Sequence, residues 1–317
     1  MPLITLFTAP KPFTEPHIDL IQRNALRSWL NLGEAVQVAL IGGEAGIAEV
    51  AGEMGLPHFP QVGVNRLGTP LISSIFALGR SLNESPYLAY VNADIILFPE
   101  FTAVVQQVAT KTGRFLCVGQ RIDLEVSEPL AFTGDWVGSL RQRAHQAGHK
   151  HLRAGSDYFV YPRECFTTIP DFAVGRAGWD NWMIFHARRM NWPVVDCTPS
   201  LEIIHQNHDY AHLPDGKPHY SLPESFENIR LAGGRRTILS LNDATHQLAE
   251  GELQPMPRTA GRFLQELINY PLLKWNNYSL TQALFMLFHP GRASKEHARQ
   301  KRMENTHSQT GSPKETA

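Results

Sequence analysis

The length, composition and charge of the chain indicate a globular protein and exclude several partner classes. Its 317 residues, 43% of them hydrophobic, are enough for one large α/β domain or two smaller ones. Because 29 basic residues face 30 acidic ones, there is no overall basic field to attract nucleic acid, and we expect no nucleic-acid partner.

The first part of the chain alternates strand-like and helix-like segments. Residues 3–8 are β-branched and apolar, residues 15–32 carry apolar side chains at helical spacing, and residues 36–41 are a second strand-like run. A short helix is predicted at 45–54, and Thr69-Pro70 predicts an N-cap and first position for a helix that continues to about residue 81. Residues 87–91 predict a central strand that ends on Asn92-Ala93-Asp94.

The second part is less regular. It predicts helices near 99–109 and 180–190, and strands near 114–119, 158–161, 194 and 201. Residues 214–222 are loop-like, residues 245–290 are predicted as a helical extension, and residues 291–317 are polar enough to be predicted as a disordered tail. The whole pattern predicts an α/β fold with a central, mostly parallel sheet flanked by helices.

Cysteine usage and apolar runs suggest a location. Cys117, Cys165 and Cys197 are odd in number and form no Cys-x-x-Cys pair. The N-terminus has no signal-peptide pattern, and no stretch of about 18 apolar residues is present to span a membrane. We therefore expect a cytoplasmic protein.

Asn92 and Asp94 are the first candidate site. They follow a predicted central strand, and ligands bind outside the carboxyl ends of strands in open α/β sheets. In an extended segment residues two apart share a face, so both side chains would meet one ligand. One carboxylate together with a diphosphate is a usual way to hold Mg²⁺ or Mn²⁺. The alternative is a solvated turn, in which Asn and Asp are common.

A histidine-rich segment follows the strand predicted near residue 201. His205, His208 and His212 lie there with Asp209, and imidazoles and carboxylates are metal ligands. His205, Asn207 and Asp209 would share a face in a strand, whereas His208 and His212 would pair in a helix. The alternative is a polar loop whose histidines only form hydrogen bonds.

Two further segments combine acids with small or aromatic residues. Gly178-Trp179-Asp180-Asn181-Trp182 opens a predicted helix. Asp180 is expected either as an N-cap between two core tryptophans or as a residue that takes a proton from, or hydrogen-bonds, a sugar hydroxyl while Trp179 or Trp182 packs on the sugar ring, and both can hold together. Asp157 in Gly155-Ser156-Asp157 is either a turn residue or a second polar contact for a sugar.

Four segments in this order are Thr8-Ala9-Pro10-Lys11, Tyr90-Val91-Asn92-Ala93-Asp94, Gly178-Trp179-Asp180 and His205/His208. Together they resemble glycosyltransferases of the GT-A type, the family-2-like group in particular. The resemblance covers about residues 1–215. It implies a nucleotide-diphospho-sugar transferase fold with a catalytic domain at 1–244, divided into a nucleotide-binding half (1–120) and an acceptor half (121–244).

The same resemblance implies residue roles. Thr8, Ala9, Lys11, Asn65, Arg66 and Asn92 would contact the nucleotide-sugar donor, and Asp157, Trp179 and Trp182 the acceptor. Asp94 with His205 or His208 would hold Mn²⁺ or Mg²⁺. Asp180 would be the catalytic base of an inverting reaction on a saccharide or lipid-linked acceptor. The family's Asp-x-Asp motif begins here with Asn92, so only its second acid is matched.

Two other functions compete with this interpretation. A sugar-nucleotide nucleotidyltransferase would be expected to have a Gly-rich, Arg-containing loop where Thr-Ala-Pro-Lys-Pro stands. A zinc hydrolase built on the histidines at 205–212 would need three protein ligands and a base. The apolar stripes and basic residues after 257 either cover the core and face solvent or make peripheral contact with a membrane.

Overall fold

The structure is a computed structural model that describes residues 1–208 and 222–296. It contains an α/β unit, Met1–Met256, and a second unit that begins at Pro257. Asp209, His212 and nearly all of the predicted loop at 214–222 lie outside the described residues. Of the tail that was predicted as disordered, only residues 291–296 are described, and they are helical.

Short strands and medium-length helices alternate along the described chain. The strands are β1 (Ile4–Thr8), β2 (Val36–Ile41), β3 (His58–Phe59), β4 (Tyr87–Val91), β5 (Ile95–Leu97), β6 (Leu116–Val118), β7 (Ile122–Leu124), β8 (His149–Lys150), β9 (Tyr158–Pro162), β10 (Val194–Asp196), β11 (Ile203–Gln206), β12 (His246–Ala249) and β13 (Glu252–Pro255). The helices are α1 (Pro16–Leu30), α2 (Ile47–Met54), α3 (Ile72–Ser81), α4 (Phe101–Lys111), α5 (Trp136–Ala147), α6 (Trp179–Arg189), α7 (Pro223–Leu231), α8 (Ala260–Trp275) and α9 (Tyr278–Phe288).

The large sheet runs through the α/β unit. Its strands in the described ranges follow the order β13-β12-β10-β6-β9-β4-β1-β2-β3. The pairs β1/β2, β1/β4, β2/β3, β6/β10 and β10/β12 are parallel, and β9 runs antiparallel between β4 and β6. The predicted α/β class with a mostly parallel central sheet is confirmed.

Both faces of the large sheet are buried, as expected for strands with continuous apolar runs. On one face, Leu6 and Val91 belong to a core cluster with Trp29 of α1 and Phe101 of α4. On the other face aromatic rings meet, among them Phe7 of β1 and Phe76 of α3 with centroids 5.2 Å apart. At Gly79 of α3 an added Cβ would lie 2.5 Å from the Phe7 ring, so glycine permits this close approach.

A small second sheet has the order β5-β11-β7-β8 in the described ranges. Strand β5 follows β4 after a three-residue turn, and β11 pairs antiparallel with β5 and parallel with β7. Trp29 of α1 donates its indole N–H to the carbonyl of Ile95 at 2.9 Å. This bond ties the small sheet to α1 beside the end of β4.

The start of α3 differs from the prediction. The helix begins at Ile72 with Leu71 as N-cap, so the prediction of Thr69 as N-cap and Pro70 as first helical residue is wrong. Both Pro70 and Leu71 are in isolated bridges, with Val64 and Ala173 respectively. Pro70, which the sequence assigns to the first turn of the helix, is therefore in an extended, bridge-paired segment.

Residues 245–256 were predicted to be helical, and the structure shows that they are not. They form the hairpin β12–β13, and β12 adds to the large sheet beside β10. Glu250 and Gly251 at its turn have φ values of 53° and 76°, as a tight hairpin turn requires. The boundary between the units therefore lies at 256/257 and not at 244/245.

The second unit contains α8 and α9. The Leu272 amide donates to the hydroxyl of Thr281 at 3.0 Å, which connects the two helices. Pro271 lies inside α8 and is buried with Leu272 and Leu273. No helix in the described part of the chain is long and apolar enough to cross a membrane.

Candidate metal and donor site

Asp94 stands where the chain passes from the large sheet to the small one. Val91 ends β4 and Ile95 begins β5, and the Ile95 amide donates to the Asn92 carbonyl at 3.1 Å to close the turn. The carboxyl ends of the parallel strands β1 and β4 meet at this edge. Ligands of open α/β sheets bind at such an edge.

The small sheet brings two histidines to Asp94. In β11, His205 lies opposite Ile95 of β5 and opposite Asp123 of β7. His208 follows two residues after β11. One donor atom from each of Asp94, His205 and His208 can be chosen so that all three lie within 4.8 Å of one another. The sequence left the choice between the two histidines open, and the structure places both beside Asp94.

The two oxygens of Asp94 have different surroundings. Oδ2 lies 3.2 Å from Nε2 of His208, 3.7 Å from Nζ of Lys11 and 3.9 Å from Nε2 of His205. Oδ1 is buried and has no hydrogen-bond partner among residues 1–208 and 222–296. A buried oxygen of this kind is costly unless an ion, a ligand or an ordered water meets it. One carboxylate and two imidazoles are a donor set for a divalent transition metal, so these residues fit the predicted cation.

The charge of Asp94 is maintained by its neighbours. Burial by itself raises the pKa of this carboxyl. The hydrogen bond with His208 and the electrostatic interactions with His205 and Lys11 lower it by more, so that the pKa lies well below its usual range. Asp94 is therefore ionised at neutral pH, which is the state that a metal ligand needs.

Asp123 lies behind His205, on the side away from Asp94. Its Oδ1 is 3.0 Å from Nδ1 of His205, and Nε2 of the same ring is directed to Asp94. Oδ1 also accepts from Nε of Arg121 at 2.8 Å, and Oδ2 lies 2.8 Å from Nδ1 of His151. Burial raises the pKa of Asp123, but these three partners lower it to below its usual range. Nδ1 of His205 has no hydrogen bond of regular geometry in the described ranges, so Asp123 acts on the ring through this close contact alone. A carboxylate beside the second nitrogen of a metal-binding imidazole helps to orient the ring.

Asn92 and Asp94 do not lie in an extended segment, so the premise that their spacing places both side chains on one face is wrong, and a shared ligand stays a prediction. Its Nδ2 donates to Oδ1 of Asp157 at 3.0 Å, and its amide donates to the Asp157 carbonyl at 2.9 Å. Asp157 also accepts from Arg121 at 2.6 Å and is 6% exposed. The chain turns at 92–94 instead of continuing as a strand, so the two side chains diverge. Asn92 thus fixes the turn to the start of β9.

Lys11 reaches the cluster from the loop after β1. Its Nζ lies 2.9 Å from Nε2 of His208. Gln22 of α1 holds the Lys11 backbone from both sides, because Oε1 accepts from the Lys11 amide at 2.7 Å and Nε2 donates to its carbonyl at 3.0 Å. The predicted donor contact Lys11 is therefore presented to the site by a buried, bidentate clamp.

The other predicted donor residues have varied surroundings. Thr8 ends β1 with its hydroxyl buried and without a hydrogen-bond partner in the described ranges, and Ala9 is half-buried. Asn65 is engaged by other residues: its Oδ1 accepts from two backbone amides of its own loop, and its Nδ2 donates to Glu224 of α7. Arg66 is exposed. Donor contact by these four residues stays a prediction.

Asp180 lies in the first turn of α6 but is not its N-cap. Gly178 holds that position with φ 112°, and Oδ1 of Asp180 accepts from the Gly178 amide at 3.3 Å. Burial has the largest effect on the carboxyl of Asp180 and raises its pKa. The charge of Asp157 raises the pKa further, backbone hydrogen bonds lower it, and the resulting pKa is about 6. A carboxyl with a pKa near neutrality suits a general base.

Trp179 and Trp182 are core residues. Trp179 is 5% exposed and packs edge-on against Tyr90 with centroids 5.2 Å apart. Trp182 is 7% exposed and packs against Phe172 at 5.3 Å. Neither indole face is open to a sugar ring, so the prediction of acceptor stacking is wrong for both. The sequence could not separate the two interpretations, because aromatic residues suit a core and a sugar site equally.

Arg121 and Asp123 were missed by sequence reasoning. They flank the start of a three-residue strand, and an Arg-x-Asp segment in that context is indistinguishable from an ordinary surface turn. Only the register of β7 against β11 places Asp123 beside His205. The pairing joins residues about eighty positions apart, and no local signal reports it.

No family model matches the chain, and no curated protein matches it in sequence. Solved structures do match. Glucosyl-3-phosphoglycerate synthase from Mycobacterium tuberculosis in complex with Mg²⁺ and uridine diphosphate is 16% identical, with a TM-score of 0.46, over 74% of this chain and 80% of that chain. The same synthase with Mn²⁺, uridine diphosphate and glucosyl-3-phosphoglycerate is 15% identical, with a TM-score of 0.46, over 74% and 81% of the two chains. At this identity and TM-score the similarity assigns neither a substrate nor a residue role to this chain.

Proposed function

We propose that the chain transfers a sugar from a nucleoside-diphosphate sugar to an acceptor hydroxyl, with a divalent cation bound by Asp94, His205 and His208. The observation that carries this proposal is the convergence of these three side chains at the ligand-binding edge of the sheet, with Oδ1 of Asp94 buried and unpartnered in the described ranges. When bound, such a cation acts as a Lewis acid and offsets charge on the leaving diphosphate.

The residues around the cluster suit a diphosphate and a proton transfer. Lys11 brings a positive charge to the end of β1, where it would meet phosphate oxygens. Asp180, with its raised pKa, would remove the proton of the acceptor hydroxyl, which corresponds to inversion at the anomeric carbon. Asp157 lies close enough to Asp180 to raise its pKa, and in this proposal it helps to shape the acceptor side. The acceptor would be a saccharide or a lipid-linked hydroxyl.

Of the two predicted ions, Mn²⁺ fits the donor set better than Mg²⁺. Mg²⁺ prefers oxygen ligands in octahedral geometry, whereas two of the three protein donors here are imidazole nitrogens. Nitrogen ligands bind first-row transition ions increasingly well from Mn²⁺ onward. The proposal therefore names Mn²⁺ as the preferred ion.

A zinc hydrolase is the second candidate, and the same cluster supports it. Three protein ligands of the type His₂-carboxylate form catalytic zinc sites with one open position. His212, which belonged to the predicted hydrolase cluster, lies outside the described residues. Lys11 beside His208 is better explained by an anionic diphosphate than by a neutral hydrolase substrate.

A thermal-shift screen separates the two functions. The protein is dialysed and its bound metal is measured. It is then treated with a chelator and heated with each nucleoside diphosphate, with and without Mn²⁺. A ligand at 100 times its dissociation constant stabilises the folded state by about 2.7 kcal/mol, and we expect such a gain only when nucleotide and Mn²⁺ are both present. Zinc that survives dialysis, with no stabilisation by any nucleotide, would support the hydrolase and contradict sugar transfer.

A further inference from the structure

The second unit exposes more apolar surface than its size explains. Of the fourteen large hydrophobic side chains that are exposed in the described residues, eight lie on α8 and α9. They are Phe263, Leu267, Tyr270, Trp275, Leu280, Met286, Leu287 and Phe288. Single exposed apolar residues are ordinary, but such a concentration marks an interaction surface.

Three of the exposed residues of α8 lie along one side of that helix. In α8, Ile268 and Leu272 are buried, whereas Phe263, Leu267 and Tyr270 follow one another at four and three residues and are 72%, 44% and 48% exposed. That spacing makes a second apolar stripe along the helix. A surface helix ordinarily carries polar residues there, so packing within the unit does not account for this stripe.

Helix α9 repeats the pattern. Thr281 and Phe285 are buried, whereas Leu280 and Leu287, seven residues apart, are 40% and 70% exposed. Residues seven apart lie on the same side of a helix. Helices α8 and α9 each carry a buried side and an exposed apolar side.

Charge indicates what covers this face. Residues 257–317 contain nine basic and four acidic side chains, whereas residues 1–256 contain 20 basic and 26 acidic ones. Arg258, Lys274, Arg292 and Lys295 are exposed near the ends of α8 and α9. The positive excess of the chain is thus confined to the unit that exposes the apolar stripes.

We infer that α8 and α9 bind the surface of an anionic lipid bilayer, with their apolar stripes in the interface and the basic residues at the headgroups. Apolar burial and basic charge add at such a surface. The aromatic residues Tyr270 and Trp275 suit the interfacial region, where one end of the side chain is apolar and the other is wet.

A second copy of the chain fits the face less well. Self-association through it would bring two units of net positive charge together, and like charges oppose that contact. An anionic surface removes this repulsion. The inference does not depend on sugar transfer, because it uses no residue of the Asp94 cluster.

Vesicle flotation of the full-length protein tests the inference. The wild type is mixed with vesicles of phosphatidylcholine alone or with added phosphatidylglycerol. We expect flotation with the anionic vesicles, weaker flotation with the neutral ones, and loss of binding as salt is raised. Phe263→Glu and Leu287→Glu should each lower the partition coefficient roughly tenfold or more, because each removes one large apolar side chain from the interface.

The matched control is Leu152→Glu in the α/β unit, where the leucine is 77% exposed. It should float like the wild type. An equal loss in this control, or a wild type that stays with the soluble fraction on anionic vesicles, would overturn the inference. The inference would also be overturned if light scattering showed a dimer that Leu287→Glu dissociates and the wild type did not bind the vesicles. Comparing the unfolding transitions of all variants excludes misfolding, and nucleotide binding with Mn²⁺ in the same variants reports separately on the proposed function.

Discussion

Replacing Asp94 by asparagine tests the central claim about the site. The change keeps the volume of the side chain and its turn propensity but removes the negative charge 3.2 to 3.9 Å from the nitrogens of His208, Lys11 and His205. An amide oxygen is a much weaker ligand for a divalent cation than a carboxylate. The cation site should therefore be lost while the fold remains.

The size of the effect follows from linkage. In the wild type the cation and the nucleoside diphosphate should each raise the affinity of the other by the same factor, and couplings of this kind are about 5- to 150-fold, or about 1–3 kcal/mol. In Asp94→Asn that factor should fall to about one. The variant should also unfold about 1–3 kcal/mol more easily at neutral pH, because Asp94 is only 13% exposed and its charged hydrogen bond with His208 is lost.

Calorimetric titration of a nucleoside diphosphate into both proteins, with and without Mn²⁺, measures the coupling. Asp171→Asn is the matched control, because Asp171 is an exposed carboxylate that accepts from the Ser73 hydroxyl away from the cluster. It should keep the full coupling. If Asp94→Asn shows the same Mn²⁺-dependent gain as the wild type, Asp94 is a turn residue and the proposed metal site is refuted.

Four further predictions concern neighbouring groups. Asp180→Asn should lower kcat by about 10²- to 10⁴-fold with donor binding unchanged. Wild-type turnover should fall as the pH drops through about 6, because a base with that pKa is lost on protonation, and a flat profile in steady-state kinetics across pH would show that Asp180 is not the base. Asp123→Asn should weaken Mn²⁺ binding by about 10- to 100-fold through loss of the orienting contact with His205, measurable by titration monitored by electron paramagnetic resonance; unchanged affinity would contradict this role. Mn²⁺ should bind at least about tenfold more tightly than Mg²⁺ in calorimetry, and the reverse order would indicate an all-oxygen site elsewhere. Lys11→Met should tighten Mn²⁺ binding in the absence of nucleotide yet weaken nucleotide binding in its presence, and a parallel loss of both would refute competition between Lys11 and the metal.

The sequence predicted those features that depend on local pattern. Helix α1 was expected at 15–32 and spans Pro16–Leu30, because its apolar spacing is regular and Pro16 marks its start. Asp94 was recognised because it directly follows an apolar strand. A residue at that position in the sequence lies at the edge of the sheet. The hairpin β12–β13 was missed because its strands are four residues long, and their short apolar runs resemble a helix start.

What the sequence could not give is the meeting of distant short strands. His205 touches both Asp94 and Asp123 only because β11 pairs with β5 on one side and β7 on the other. Strands of three or four residues contain too few side chains for periodicity to fix their register. Gln206 illustrates the same point, since its buried amide donates to the Ile21 carbonyl at 2.7 Å and so ties β11 to α1. Such a contact is invisible in either segment alone.

The position of Lys11 gives a physical reason for the expected coupling between cation and nucleotide. Nε2 of His208 lies 2.9 Å from Nζ of Lys11 and 3.2 Å from Oδ2 of Asp94, so the ammonium stands beside the same atoms that would bind a cation. Two positive charges a few ångströms apart repel each other strongly in a buried setting. Cation binding therefore requires Lys11 to leave His208, and its backbone clamp on Gln22 allows the side chain alone to move. A diphosphate gives the displaced ammonium a new partner and at the same time supplies oxygen ligands for the cation. The two ligands should thus bind weakly alone and tightly together, with Lys11 as the group that links them.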